Sequence, residues 1–147
     1  MADIFPIQQK GVADGTAIPA DRADGRQVGA PVLRTFASKA TDEALAAGDR
    51  FYLGKKPCGC KVSNVLVTTA VSMGAATFDI GTDADPDKYV DGKGVTTTDV
   101  PVSVGPIAST LDDAPSDDEE DLWATVAGAT IATATALTIQ VEFVGIS

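Results

Sequence analysis

No histidine occurs in this chain. Without an imidazole, the abundant Ser and Thr hydroxyls have no partner of the usual kind to activate them as nucleophiles. Nor can a zinc site be completed from the two cysteines. Those cysteines form Cys58-Gly59-Cys60. A disulfide between residues i and i+2 would close a very small, strained ring, so two reduced thiols beside a turn are expected. Basic residues are also scarce: 11 Lys and Arg stand against 21 Asp and Glu, a net charge of −10. A surface of that sign repels phosphate backbones and argues against a nucleic-acid partner. No apolar run approaches the ~18 residues of a membrane-spanning helix, so no membrane partner is expected. The opening MADIFPIQQK lacks a charged n-region followed by an apolar h-region. That argues against a secretory signal and for a chain made in a cytoplasm.

Aromatic residues make up only 5% of the chain, although 44% of it is hydrophobic. Much of that apolar share is Ala and Val, with many Thr beside them. Val and Thr are stiff at χ1 and suit pleated strands. Long helical patterns are missing. The chain of 147 residues is the size of one domain, able to bury roughly 70% of its unfolded surface.

Residues 1–32 are rich in Gly, Ala, Asp and Pro and have little hydrophobic periodicity. By itself such a segment buries too little to offset its ordering entropy. Ile4, Phe5 and Ile7 are the exception. They suggest an extended N-terminal arm whose apolar tip docks on something else. Residues 33–147 read as the folded body.

Within the body, VLRTFA at Val32–Ala37 reads as a first strand. SKATDEALAA at Ser38–Ala47 is the one helix-like stretch, read as a short turn capped by Thr41 and ended by Gly48. DRFYL at Asp49–Leu53 alternates, and Gly54 and Pro57 break it. CKVSNVLVTT at Cys60–Thr69 is a long strand. Its Val65-Leu66-Val67 centre is apolar at successive positions, which suggests a central strand or one with a face against a neighbouring subunit. ATFDI at Ala76–Ile80 alternates again. Lys88-Tyr89-Val90 reads as a short strand and Asp91-Gly92-Lys93-Gly94 as a turn. Pro101 and Pro106 confine the next strand to an edge or a bend. LWATVA at Leu122–Ala127 and LTIQVEFV at Leu137–Val144 close the chain. In the latter, Leu137, Ile139, Val141 and Phe143 share one face. About eight short strands with regular turns fit an all-β fold, a β-sandwich, with jelly-roll connections as the expected form and the strand order left open.

Three polar clusters are candidates for chemistry. Asp83, Asp85 and Asp87 alternate as calcium ligands do, but an EF-hand loop needs Gly and Glu where Lys88 and Gly94 stand. The run from Asp112 to Asp121 is more acidic still, and like charges so close keep a loop extended and wet. Both read as solvated loops, as does the Lys55-Lys56 turn. No carboxylate pair is singled out by divergent surroundings, so an enzyme is the least supported class. No cofactor or metal is expected. Trp123 with Tyr52 could form an aromatic sugar platform, which keeps a glycan-binding or adhesion module as the alternative.

The run AGDRFYLGKKPCGCKV from Ala47 to Val62, followed by TFDIGT at Thr77–Thr82 and DKYV at Asp87–Val90, resembles the head decoration, or cement, proteins of tailed bacteriophages. That resemblance implies a β-sandwich or jelly-roll subunit, often trimeric, seated on the outer surface of a capsid at local symmetry axes. It would bind the major capsid protein, add buried interface between capsomers and carry no catalytic residues. The expected location is the virion exterior, after assembly in the host cytoplasm. On this reading the candidate capsid or subunit contacts are Ile4, Phe5, Ile7, Val65 and Val67.

Overall fold

The computed structural model describes residues 32–39 and 44–145. Thr41 and the expected arm residues Ile4, Phe5 and Ile7 lie outside the described residues. Eight strands follow one another: β1 (Val32–Ser38), β2 (Arg50–Lys56), β3 (Cys60–Thr69), β4 (Thr77–Gly81), β5 (Val90–Lys93), β6 (Val102–Gly105), β7 (Glu120–Ala127) and β8 (Leu137–Gly145). One helical turn, α1 (Ala108–Leu111), separates β6 from β7.

The strands form two four-stranded sheets, ordered β1-β8-β3-β6 and β2-β7-β4-β5. Every pairing is antiparallel. The first strand pairs with the last, the second with the second-last, and so on inward to β4 with β5. This is one long antiparallel ribbon folded over on itself. The contacts β3 to β8 and β4 to β7 then join its turns into two sheets. The result is the jelly-roll sandwich expected from the strand count and turn spacing.

Alternation decides what each strand buries. On β8 Leu137, Ile139, Val141 and Phe143 are all 2% exposed or less, while the residues between them face outward. From the other sheet Phe78, Ile80, Leu122, Ala124 and Val126 meet them, each at most 1% exposed. Burying side chains of this size contributes about 1.5–3 kcal/mol apiece.

Four register shifts depart from this regularity, and two of them, on β3 and β2, decide which side chains face inward. On β3 the register slips between Val62 and Asn64, so Ser63 is the extra residue. Its hydroxyl donates to the Glu142 carbonyl at 3.1 Å. The slip lets Val62 on one side and Val65 and Val67 on the other all face inward. On β2 the register slips between Tyr52 and Gly54. The strand thereby runs on through Gly54, where a break was expected, and ends at Lys56. Two further boundaries differ. β5 begins at Val90 and takes in Asp91–Lys93, read from sequence as a turn; Gly92 within it has φ +58°. β7 begins at Glu120, inside the acidic run. β6 lies at a sheet edge between Pro101 and Pro106, where missing ladder donors are tolerated.

Candidate interaction surface

On the outward face of the second sheet, Tyr52 of β2 lies opposite Trp123 of β7. Directly opposed positions share a face, so the two rings meet: their centroids are 4.8 Å apart at a 55° tilt. On the far side of Trp123 the ladder partner is Gly81 of β4, where the Asp85–Pro86 backbone packs so closely that a Cβ would collide with it. The Arg50 guanidinium lies over the indole, 4.2 Å from the ring centroid, and is ion-paired with Asp83. The Trp123 face expected to receive a sugar is therefore already covered by a cation. Tyr52 remains 44% exposed. Its hydroxyl donates to Asp121 at 2.9 Å. That hydrogen bond, helped by the carboxylate's charge, raises the phenol above its ordinary value. Lys55 pairs with Glu119 at 3.4 Å, and that bond likewise raises the ammonium.

β1 and β2 are the outermost strands of their sheets, and each pairs with a single neighbour among the described residues. Between these two edges lies an open groove of about 490 Å³, lined by Thr35, Phe36, Phe51, Tyr52, Leu53 and Gly54 among others. Its walls approach closely at Gly54 and Thr35. A Cβ on Gly54, whose φ is +106°, would come within 3.2 Å of the Thr35 methyl carbon. Phe36 stands 65% exposed beside it, and Thr35 Oγ1 is buried without a hydrogen-bond partner in the described chain. With Trp123, this one edge gathers four of the eight aromatic residues in the chain.

A second polar cluster is buried. Lys56, 2% exposed, donates to the carbonyls of Asp118 at 2.6 Å and Cys60 at 3.3 Å and to Ser116 Oγ at 3.0 Å. The Lys55-Lys56 turn expected to be solvated is thus half wrong. Lys55 is exposed, but the bulge at Leu53 turns Lys56 inward, where carbonyls and a hydroxyl satisfy its ammonium. Nearby, Glu120 accepts from Lys88 Nζ at 2.7 Å and from the Tyr89 hydroxyl at 2.8 Å. Burial opposes ionisation of Glu120, yet those two donors outweigh it and hold the carboxyl below its ordinary value. Burial first, and the bond to Glu120 second, push the Tyr89 phenol far above its own.

Val65 and Val67 are both 0% exposed, inside the sandwich. The strand centre apolar at successive positions does not mark a subunit contact through these two side chains. The bulge at Ser63 resets the phase, and both valines pack against the opposite sheet. The outward residue between them, Leu66, lies beside Gln140, with Phe36 on that glutamine's other side. Farther along this outer face Glu142 takes a salt bridge from Arg34 at 3.2 Å and hydrogen bonds from Asn64 at 3.3 Å and Gln140 at 2.8 Å. In the acidic loop, a hydrogen bond to Asp87 raises Asp85 above its ordinary value. Among the described residues no three carboxylates or thiols converge as a metal would require. Cys58 is an exposed free thiol and Cys60 a buried one.

The perturbed groups of these surfaces are each explained by a packing or ion-pair partner. Sequence reasoning found Tyr52 and Trp123 but missed Phe36, Phe51 and Lys56. The signal for the groove was the concentration of scarce aromatics in the first two strands.

No family model and no curated protein sequence matches the chain. The fold does match solved structures. A chain of the Cyanophage Pam1 capsid asymmetric unit superposes with a TM-score of 0.62 at 16% identity, covering 90% of this chain and 96% of that one. A chain of the capsid of Ralstonia phage GP4 gives 0.60 at 18% identity, covering 80% and 86%. At these identities the likeness is one of fold.

Proposed function

We propose that this is a non-enzymatic virion structural protein that binds the outer surface of a bacteriophage capsid and stabilises contacts between capsomers. One observation carries the reading: the two-sheet jelly roll is shared, over nine-tenths of the chain, with a chain of a phage capsid asymmetric unit. The phage-like AGDRFYLGKKPCGCKV run supports it from the sequence side. The partner is the major capsid protein. The oligomer is a trimer, because local three-fold axes of a lattice ask for matching symmetry, and many weak contacts repeated over that lattice give avidity.

The test mixes purified protein with expanded capsids of its phage that lack it, followed by sedimentation and thermal disruption. Saturable co-sedimentation and a higher disruption temperature are expected. No binding at micromolar concentration sinks the proposal. Light scattering of the free protein checks the trimer separately.

The second reading, a glycan-binding module, draws on the exposed Tyr52 ring beside Asp121. It predicts glycan-array signal lost on Tyr52→Ala, since Arg50 already occupies the Trp123 face.

A further inference from the structure

The geometry points to an occupant for the groove between β1 and β2: we propose that the N-terminal tip of the same chain, Ile4-Phe5-Pro6-Ile7, lies in it as an added edge segment. This docking needs no capsid and would hold in the free protein.

Four observations converge. The first is chemical fit. The groove presents Phe36, 65% exposed, and Tyr52, 44% exposed, beside the half-buried Phe51, a concentration of rings in a chain this poor in aromatics. The tip holds the densest apolar cluster of the 31 residues that precede β1. Exposed apolar surface of this kind is usually covered.

The second is reach. The chain enters β1 at Val32, and Thr35 already lines the groove. The 24 residues between Ile7 and Val32 span up to about 80 Å when extended. The arm can therefore turn back to its own starting wall without strain, and tethering keeps the tip's effective concentration high.

The third is unmet hydrogen bonding. β1 pairs only with β8 and β2 only with β7 among the described residues, so both edges present open backbone groups to an added strand. Thr35 Oγ1 is buried at the same place without a partner.

The fourth is the tip's own backbone. A residue before proline is steered to extended geometry, which is the geometry an added edge segment needs at position 5. Pro6 then denies a ladder donor to any further strand, as edge positions tolerate.

The test uses the full chain. A benzophenone photo-crosslinker is placed at position 5, and equal amounts of isotopically light and heavy protein are mixed before irradiation. The expected product joins residue 5 to positions 35–38 or 51–54 within one copy. Phe36→Ser, a change at a mostly exposed side chain that leaves the core intact, should cut that yield at least five-fold. Amide exchange gives the independent readout: Phe5→Asp should speed exchange in segments 32–38 and 50–56 by ten-fold or more and leave β8 unchanged. Crosslinks that join light to heavy copies assign the groove to a second copy and overturn the proposal. Crosslinks mapping elsewhere, or exchange unaffected by Phe5→Asp, overturn it as well.

Discussion

The Lys56 ammonium lies 2.6 Å from the Asp118 carbonyl oxygen, across 62 residues of chain. The contact ties the end of β2 to the loop before β7, and with Ser116 and Cys60 it makes Lys56 an internal strut. Lys56→Met keeps the volume but removes every donor. Two carbonyls and a hydroxyl are left behind, and hydrogen bonds to charged groups are worth about 1.5–3 kcal/mol each. The loss expected in urea unfolding is roughly 2–4 kcal/mol. Lys55→Met, at an exposed ion pair, should leave the urea midpoint almost unchanged.

Glu120 and Tyr89 give stability a pH dependence at both ends. The Glu120 value is lowered in the folded protein, so its contribution is full above the ordinary 4.5 and is lost as pH falls through the folded value. The Tyr89 value is raised, so its contribution is full below the ordinary 10.0 and fades in stronger alkali. Glu120→Gln should destabilise at pH 7 by roughly 1–2 kcal/mol. The gap between wild type and variant should narrow from pH 6 to pH 3. Urea midpoints across that range provide the check, and a gap that stays constant would show that Glu120 is not the titrating group.

Val65→Ala and Leu66→Ala separate the two faces of β3. Val65 is fully buried, and losing two methyl groups from a packed core costs roughly 2 kcal/mol, more where a cavity persists. Leu66 points outward, and its truncation should cost under about 1 kcal/mol. If the costs came out reversed, the register at the Ser63 bulge would be wrong.

Gly54→Ala and Gly48→Ala both force an L side chain into positive φ, at +106° and +96°. That strain is of order 1–3 kcal/mol in either case. Gly54 alone adds a tight contact, 3.2 Å to the Thr35 methyl, whereas Gly48 has open space around it. Thermal unfolding should therefore show Gly54→Ala as the more damaging of the two.

How far the sequence could be read follows from the range of the forces involved. β8 was plain because its alternation is local and unbroken, and β6 because two prolines frame it. The two bulges were not. One extra residue leaves composition untouched yet turns every later side chain over; Val65-Leu66-Val67 is apolar on both faces, so its pattern alone does not say which face packs inward. Lys56 looked solvated because a lysine beside a proline usually is, and its acceptors arrive from a loop some 60 residues later. Strand order depends on pairings as distant as Val32 with Val144, and no local pattern encodes those. The groove's aromatics stand out in the first two strands, but that they face one another does not, since its walls belong to different sheets.

The pairing of first strand with last has a consequence for how the protein is made. β8 is an inner strand, between β1 and β3, although it is the last of the eight to leave the ribosome. Until it emerges, β1 lacks its only ladder partner among the described residues, and the apolar face of β3 lacks the neighbour that completes its sheet. The nascent chain must hold its Val-rich strands unpaired through most of its synthesis, a state prone to association with other chains. Closing so distant a pairing is also entropically slow. Losses at the two ends of the described sandwich are correspondingly unequal. A stop codon before Leu137 splits one sheet through its middle, while deletion of β1 only moves that sheet's edge inward by one strand.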